Sequence, residues 1–174
     1  MTEYRRYRVK GGTYFFTVNL EDRQQTLLTD RIAELREAFR QVQHHHPFTL
    51  DAVVILPDHL HSLWTLPEGD DDFSLRWRQI KSAFSRALES GERVSRSRKM
   101  KGERGVWQRR FWEHAIRDNA DYTAHVDYIH YNPVKHGQVQ QVFDWPYSSF
   151  HRFVERGVYP QDWAGGSQGM LDLG

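Results

Sequence analysis

The sequence predicts an α+β fold, a split βαβ arrangement in which an antiparallel sheet lies under two helices. Three observations carry that reading. Strand-like and helix-like segments follow one another as strand, helix, strand, strand, helix, strand; each helical segment has one apolar stripe; and no internal repeat breaks the series. With 174 residues the chain has room for one ordinary domain with a real core, so a single domain over 1–174 is expected. Within it, 1–12 reads as a basic leader, 91–106 as a basic flexible loop and 138–174 as a C-terminal tail.

Gly11-Gly12 ends the leader, and the β-branched and aromatic run Thr13-Tyr14-Phe15-Phe16-Thr17-Val18-Asn19-Leu20 reads as the first strand. From about Asp30, Ile32, Leu35, Phe39 and Val42 recur at three- and four-residue spacing, which predicts an amphipathic helix ended by His44-His45-His46-Pro47. Phe48 to Leu56 reads as a strand, Pro57-Asp58 as a tight connection, and His59 to Leu66 as the partner strand. The acidic run Asp70-Asp71-Asp72 suits a helix N-terminus, where the macrodipole favours negative charge. The helix that follows puts Phe73, Trp77, Ile80, Phe84, Ala87 and Leu88 in one arc, with Arg76, Arg78, Lys81 and Arg86 outside it. Gly91 to Gly105 has almost nothing to bury, and Arg109 to Ile116 supplies a fourth strand. Asp118 can cap a further helix with Tyr122, Val126 and Ile129 as its buried stripe. Asn132-Pro133 is expected to end it, because a residue before proline is pushed out of the α region. The aromatic tail, punctuated by Pro and Gly, reads as turns and a short helix wrapping the domain.

Composition removes several chemistries. The chain has no cysteine, so disulfides, thiolate ligands and a cysteine nucleophile are excluded, and any metal must be held by nitrogen and oxygen. The net charge is only +1, so a nucleic-acid footprint must come from local clustering. Clusters exist in the leader and between Arg93 and Arg110, and they mark Arg5, Arg6, Lys10, Arg104, Arg109 and Arg110 as candidate DNA contacts. No apolar run approaches the roughly 18 residues that span a bilayer, and a cytoplasmic protein with no membrane partner is expected.

His59 and His61 stand in the otherwise apolar run Val53-Val54-Ile55-Leu56-Pro57-Asp58-His59-Leu60-His61-Ser62-Leu63-Trp64. Residues at i and i+2 of a strand share a face, so both imidazoles address one site while Leu60 faces the core. Two imidazoles on one face suggest a metal. On the later helix Tyr128 and Asn132 are four residues apart, hence about 40° from one another around the axis, and neither lies on the apolar stripe. The Asn132 amide oxygen is a hard ligand. With His59 and His61 it would make an N,N,O set with open positions, suited to Mg²⁺ or Mn²⁺ carrying a phosphate oxygen.

His59-Leu60-His61 resembles the histidine-hydrophobe-histidine element of the HUH single-strand endonucleases. Tyr128-Ile129-His130-Tyr131-Asn132 resembles their single nucleophilic tyrosine followed four residues later by an amide ligand. The segments Trp107 to Arg117, His125 to Gly137 and Tyr159-Pro160-Gln161-Asp162-Trp163-Ala164-Gly165 are similar to those of REP-associated tyrosine transposases, and the likeness covers nearly the whole chain.

That resemblance implies a ferredoxin-like HUH core with an extra tyrosine-bearing helix, and metal-dependent cleavage and rejoining of single-stranded DNA beside REP hairpins of bacterial chromosomes. Tyr128 would attack phosphorus to leave a 5′-phosphotyrosine and a free 3′-hydroxyl, with His125, one turn earlier, or the metal as an aid. The broader insertion-sequence branch carries glutamine where this chain has Asn132, and the REP-associated branch carries asparagine. The resemblance also implies a monomer near the nucleoid. The competing functions are a non-catalytic REP-hairpin binder and a phosphodiesterase using activated water.

Overall fold

The computed structural model describes residues 6–166. Alternation along the first strand sets the architecture. In β1 (Thr13–Asn19), Tyr14, Phe16 and Val18 enter one apolar cluster and Phe15 enters another, and all four are fully buried. A strand apolar on both faces must be covered on both. Three further strands, β2 (Thr49–Ile55), β3 (His59–Thr65) and β4 (Trp112–Ala115), join it in the order β2-β3-β1-β4, every neighbouring pair antiparallel. This is the split βαβ order the sequence predicts.

After a single turn of helix, α1 (Leu27–Asp30), two longer helices cover one face: α2 (Ile32–His45) and α3 (Phe73–Arg86). They bury Leu35, Phe39 and Val42 from α2, and Phe73, Trp77, Ile80 and Phe84 from α3, against the sheet. Trp64 of β3 is the centre of this layer, stacked 4.1 Å from Phe48 and 4.4 Å from Trp77. Asp72 caps α3 by accepting the Leu75 N–H at 3.0 Å.

Two basic side chains depart from their expected exposure. Arg76, outside the apolar arc, is nonetheless buried; it pairs with Asp70 at 2.7 Å and donates to the carbonyls of His46, Pro47 and Asp72 at 3.1, 2.8 and 3.0 Å. Its five donors satisfy loop carbonyls that a helix-face count does not see. Lys81 is also drawn in, donating to the Gln108 carbonyl at 2.9 Å, and burial lowers its pKa to about 8.

The segment expected as a flexible loop contains a helix, α4 (Arg96–Met100), capped by Ser95. Its Arg98 is buried, donating to Glu21 and to the carbonyls of Arg104 and Trp107, each at 2.9 Å. Polar anchoring replaces the missing apolar residues.

The second face is covered by α5 (Asn119–Lys135), capped by Asp118 through the Asp121 N–H at 2.8 Å. Contrary to the sequence expectation, α5 continues through Pro133. Proline there removes one N–H from the last turn only, and His136 N still bonds the Asn132 carbonyl at 2.9 Å. The helix stops at Gly137, φ +70°, with Gln138 N on the Pro133 carbonyl and Gly137 N on that of Val134, a Schellman ending.

The tail clamps α5 to the sheet. Residues 147–149 bond the outer edge of β2, with Ile55 N donating to the Tyr147 carbonyl at 2.8 Å and Ser149 N to that of Val53 at 2.9 Å. A short helix, α6 (Phe150–Glu155), follows, and Trp145, Phe150 and Tyr159 join Val126 and Ile129 in the second apolar cluster. No helix of the described residues is long and apolar enough to cross a membrane.

Candidate active site

The turn at Pro57-Asp58 delivers His59 and His61 onto the α5 side of β3, paired in register with Asn19 and Thr17. Each ring is oriented through Nδ1. His59 Nδ1 donates to Asp58 Oδ1 at 2.8 Å, Asp58 is held by Arg23 at 2.6 Å, and His61 Nδ1 meets Thr17 Oγ1 at 2.8 Å. Such outer partners fix a metal-binding imidazole and leave Nε2 to the site. Burial lowers the pKa of His59, and burial followed by the charges of His59, His136 and Lys135 takes His61 well below its ordinary value. Both rings are therefore neutral at neutral pH, the form a metal requires. Burial pushes Asp58 up, but Arg23 and His59 together hold it below the usual carboxylate range.

Facing this pair, α5 and its C-cap residue present Tyr128, Asn132 and His136 at i, i+4 and i+8, hence on one side. The ends of that row touch the histidines: the Tyr128 ring lies 5.2 Å from His61, edge-on, and His136 lies 5.0 Å from His59. Asn132, between them, is thereby set against the pair. It is fully buried, and neither its Oδ1 nor its Nδ2 has a hydrogen-bond partner; the same is true of His61 Nε2. A buried unpartnered amide costs about 1–3 kcal/mol. A ring nitrogen and an amide oxygen left unpaired on facing elements are the donors a hard divalent cation takes up, so the residues fit the N,N,O set. The other unpartnered indole nitrogens, of Trp64 and Trp77, belong to the opposite apolar cluster.

Tyr128 is more buried than its place off the stripe implies, at 3% exposure. With sheet on one side and tail on the other, α5 is covered nearly all round. Phe15 lies edge-on to Tyr128 at 5.9 Å, and Lys135 Nζ is 5.0 Å from the Tyr128 ring centroid.

His125, one turn before Tyr128 on α5, is engaged by Asp121 and His114. Its Nδ1 lies 2.8 Å from the Asp121 carbonyl and 3.1 Å from Asp121 Oδ1, and its ring stacks on His114 at 4.7 Å. His114 Nε2 bonds Asp121 Oδ2 at 2.8 Å, so His114, Asp121 and His125 form a mutually satisfied group that ties β4 to α5. Three such donors could accept a cation, but each has its partner without one.

The candidate DNA contacts scatter. Arg5 lies outside the described residues. Arg6 pairs with Glu113 at 3.3 Å and sits 4.0 Å over Phe111, on the α3 side of the sheet, and Lys10 is exposed beside Gly11. Arg104 is committed to Glu92 and to the carbonyls of Ser85, Leu88 and Glu89, and Arg109 to Glu103 at 2.9 Å. Arg110 is exposed and has no ion pair among the described residues. His136 escaped the sequence reading because the helix was expected to stop at Asn132; the signal was its place one turn beyond that asparagine.

Residues 8–132 match the family described as "Transposase IS200 like". The chain belongs to that family, in its REP-associated branch. A REP-associated tyrosine transposase of Escherichia coli (strain K12) is 56% identical over 165 residues, covering 95% of this chain and 92% of the relative. A Haemophilus influenzae relative named for the same class is 52% identical over 166 residues, covering 95% and 94%. A solved structure of a REP-associated tyrosine transposase bound to a REP hairpin superposes with a TM-score of 0.84 at 55% identity, covering 97% of this chain and 94% of the other. As a tyrosine transposase, the chain is an enzyme of DNA strand transfer.

Proposed function

We propose that this transposase cleaves and rejoins single-stranded DNA at REP hairpins through Tyr128, with a divalent ion, Mg²⁺ or Mn²⁺, held by His59, His61 and Asn132. The observation that carries the reading is the facing pair of unpartnered buried donors, His61 Nε2 and Asn132, beside the Tyr128 ring. When bound, the ion supplies Lewis-acid activation of the scissile phosphate. Tyr128 Oη forms the new bond to phosphorus and loses its proton. The bond from phosphorus to the 3′ oxygen breaks, and that oxygen takes a proton to become a free 3′-hydroxyl. The 5′-phosphotyrosine keeps the ester energy, so a 3′-hydroxyl from another end can reverse the step. Lys135, next to the Tyr128 ring, offers positive charge to the approaching phosphate.

Tyr159 donates to Asp127 at 2.5 Å and Trp145 Nε1 to the Ile55 carbonyl at 2.9 Å, which holds α5 on its own sheet and supports action as a monomer. A cytoplasmic location beside the nucleoid follows from the substrate.

Incubation of a labelled REP-hairpin oligonucleotide with the protein and Mn²⁺ tests the reading. A denaturation-resistant adduct is expected from the wild type and none from Tyr128→Phe, which still binds the hairpin. Cleavage that persists in Tyr128→Phe would point to activated water instead, and binding without cleavage in the wild type would point to a hairpin-binding protein.

A further inference from the structure

Trp112 opens the edge strand β4 and is 55% exposed. An edge strand is usually guarded by charge or proline against pairing with a wrong partner, and here its first residue is an exposed indole instead. Register fixes its direction. Trp112 is paired with Thr17 across β1, and Thr17 with His61 across β3. Cross-strand partners share a face, so Trp112, Thr17 and His61 form one row across three strands on the α5 side. At a strand spacing of about 4.8 Å, Trp112 stands roughly 10 Å from His61. That is the span of about two or three nucleotides.

This end of the row is open. His114, two residues further along the same face, is bonded to Asp121 and stacked on His125, whereas Trp112 has no ring contact among the described residues. Of the exposed large apolar side chains Tyr7, Val9, Met100, Trp112 and Val158, it alone is in strand register with a site histidine. Two residues before it in the chain, Arg110 is exposed.

We infer that Trp112 is a stacking platform for an unpaired base of the DNA strand flanking the scissile phosphate. The inference rests on the site proposed above. Every base has a π-face, so an exposed indole can hold a single strand without reading its sequence. Stacking at Trp112 would fix the strand so that its phosphate meets His59, His61 and Tyr128.

The test is binding of a labelled REP-hairpin oligonucleotide with single-stranded flanks, measured in chelator so that nothing is cleaved. Trp112→Ala is expected to weaken binding about 5- to 140-fold, and Trp112→Phe much less. An abasic residue walked through the flank should weaken wild type at one position and leave Trp112→Ala unaffected there. Unchanged affinity in Trp112→Ala, or the same abasic profile in both proteins, overturns the inference. The abasic walk on wild type needs no folded variant: a profile without a sensitive flanking position also overturns it. If the wild type binds with the expected abasic profile but forms no Tyr128 adduct with Mn²⁺, the catalytic reading falls and the stacking contact stands. If the adduct forms while Trp112→Ala binds like wild type, the stacking contact alone falls. Failure of the wild type to bind any such strand removes both.

Discussion

Replacing Asn132 by leucine sets stability against metal affinity, and the two effects have opposite signs. Asn132 is fully buried with both amide atoms unpartnered, and Leu has the same branched shape without the polar atoms. Removing an unsatisfied buried amide returns about 1–3 kcal/mol. For a chain of this length each kcal/mol moves the melting point by about 2–4 °C, so metal-free Asn132→Leu should melt about 2–12 °C above wild type. With Mn²⁺ at a hundred times its Kd, wild type gains about 2.7 kcal/mol. Loss of a ligand that weakens the ion at least tenfold leaves the variant about 1.4 kcal/mol or less at that concentration. The assay is thermal unfolding in chelator and in rising Mn²⁺, followed by circular dichroism. A variant that melts below wild type in chelator and keeps the full Mn²⁺ shift would refute the reasoning, because Asn132 would then be a satisfied packing residue.

Acid should loosen the tail from α5. His130 is fully buried, Nε2 2.8 Å from Ser149 Oγ, and burial drives its pKa down to about 3. Its folded pKa lies below the unfolded value near 6.5, so its contribution is complete above pH 6.5 and is lost as pH falls towards 3. Between pH 7 and pH 5 that loss is about 2 kcal/mol, readable by urea unfolding; His130→Gln should flatten the acid slope, and an unchanged slope would contradict the assignment. The arginines divide by their partners. Arg110→Ala should lower the salt dependence of DNA binding by about one phosphate contact with little effect on melting. Arg104→Ala, which strips Glu92 and three carbonyls of their donor, should lower the melting point and leave the salt slope unchanged; the reverse pattern would exchange their roles.

Periodicity made the sheet and its helices legible. The period-2 pattern of β1 and β3 and the 3.6-residue stripes of α2 and α3 report burial directly, and the His59/His61 face follows from the same alternation. What escaped was polar satisfaction. Arg76 and Arg98 sit inside because particular carbonyls and carboxylates meet them there, and no stripe encodes that. Helix α5 was harder still. It is covered by sheet on one side and tail on the other, so it has no polar face to set its limits, and a Schellman ending at Gly137 outweighed Pro133. For that reason the spacing that puts Tyr128 and Asn132 on one face does not reveal that His136 lies beside His59 one turn later, or that His125 bonds Asp121.

Peptide mapping of the covalent adduct is the most direct test of the central claim. After incubation with a REP-hairpin oligonucleotide and Mn²⁺, nuclease trimming and tryptic digestion, mass spectrometry should find a 5′-phosphonucleotide on the peptide carrying Tyr128. A nucleotide on another residue, or cleaved DNA with no modified peptide, would contradict the account.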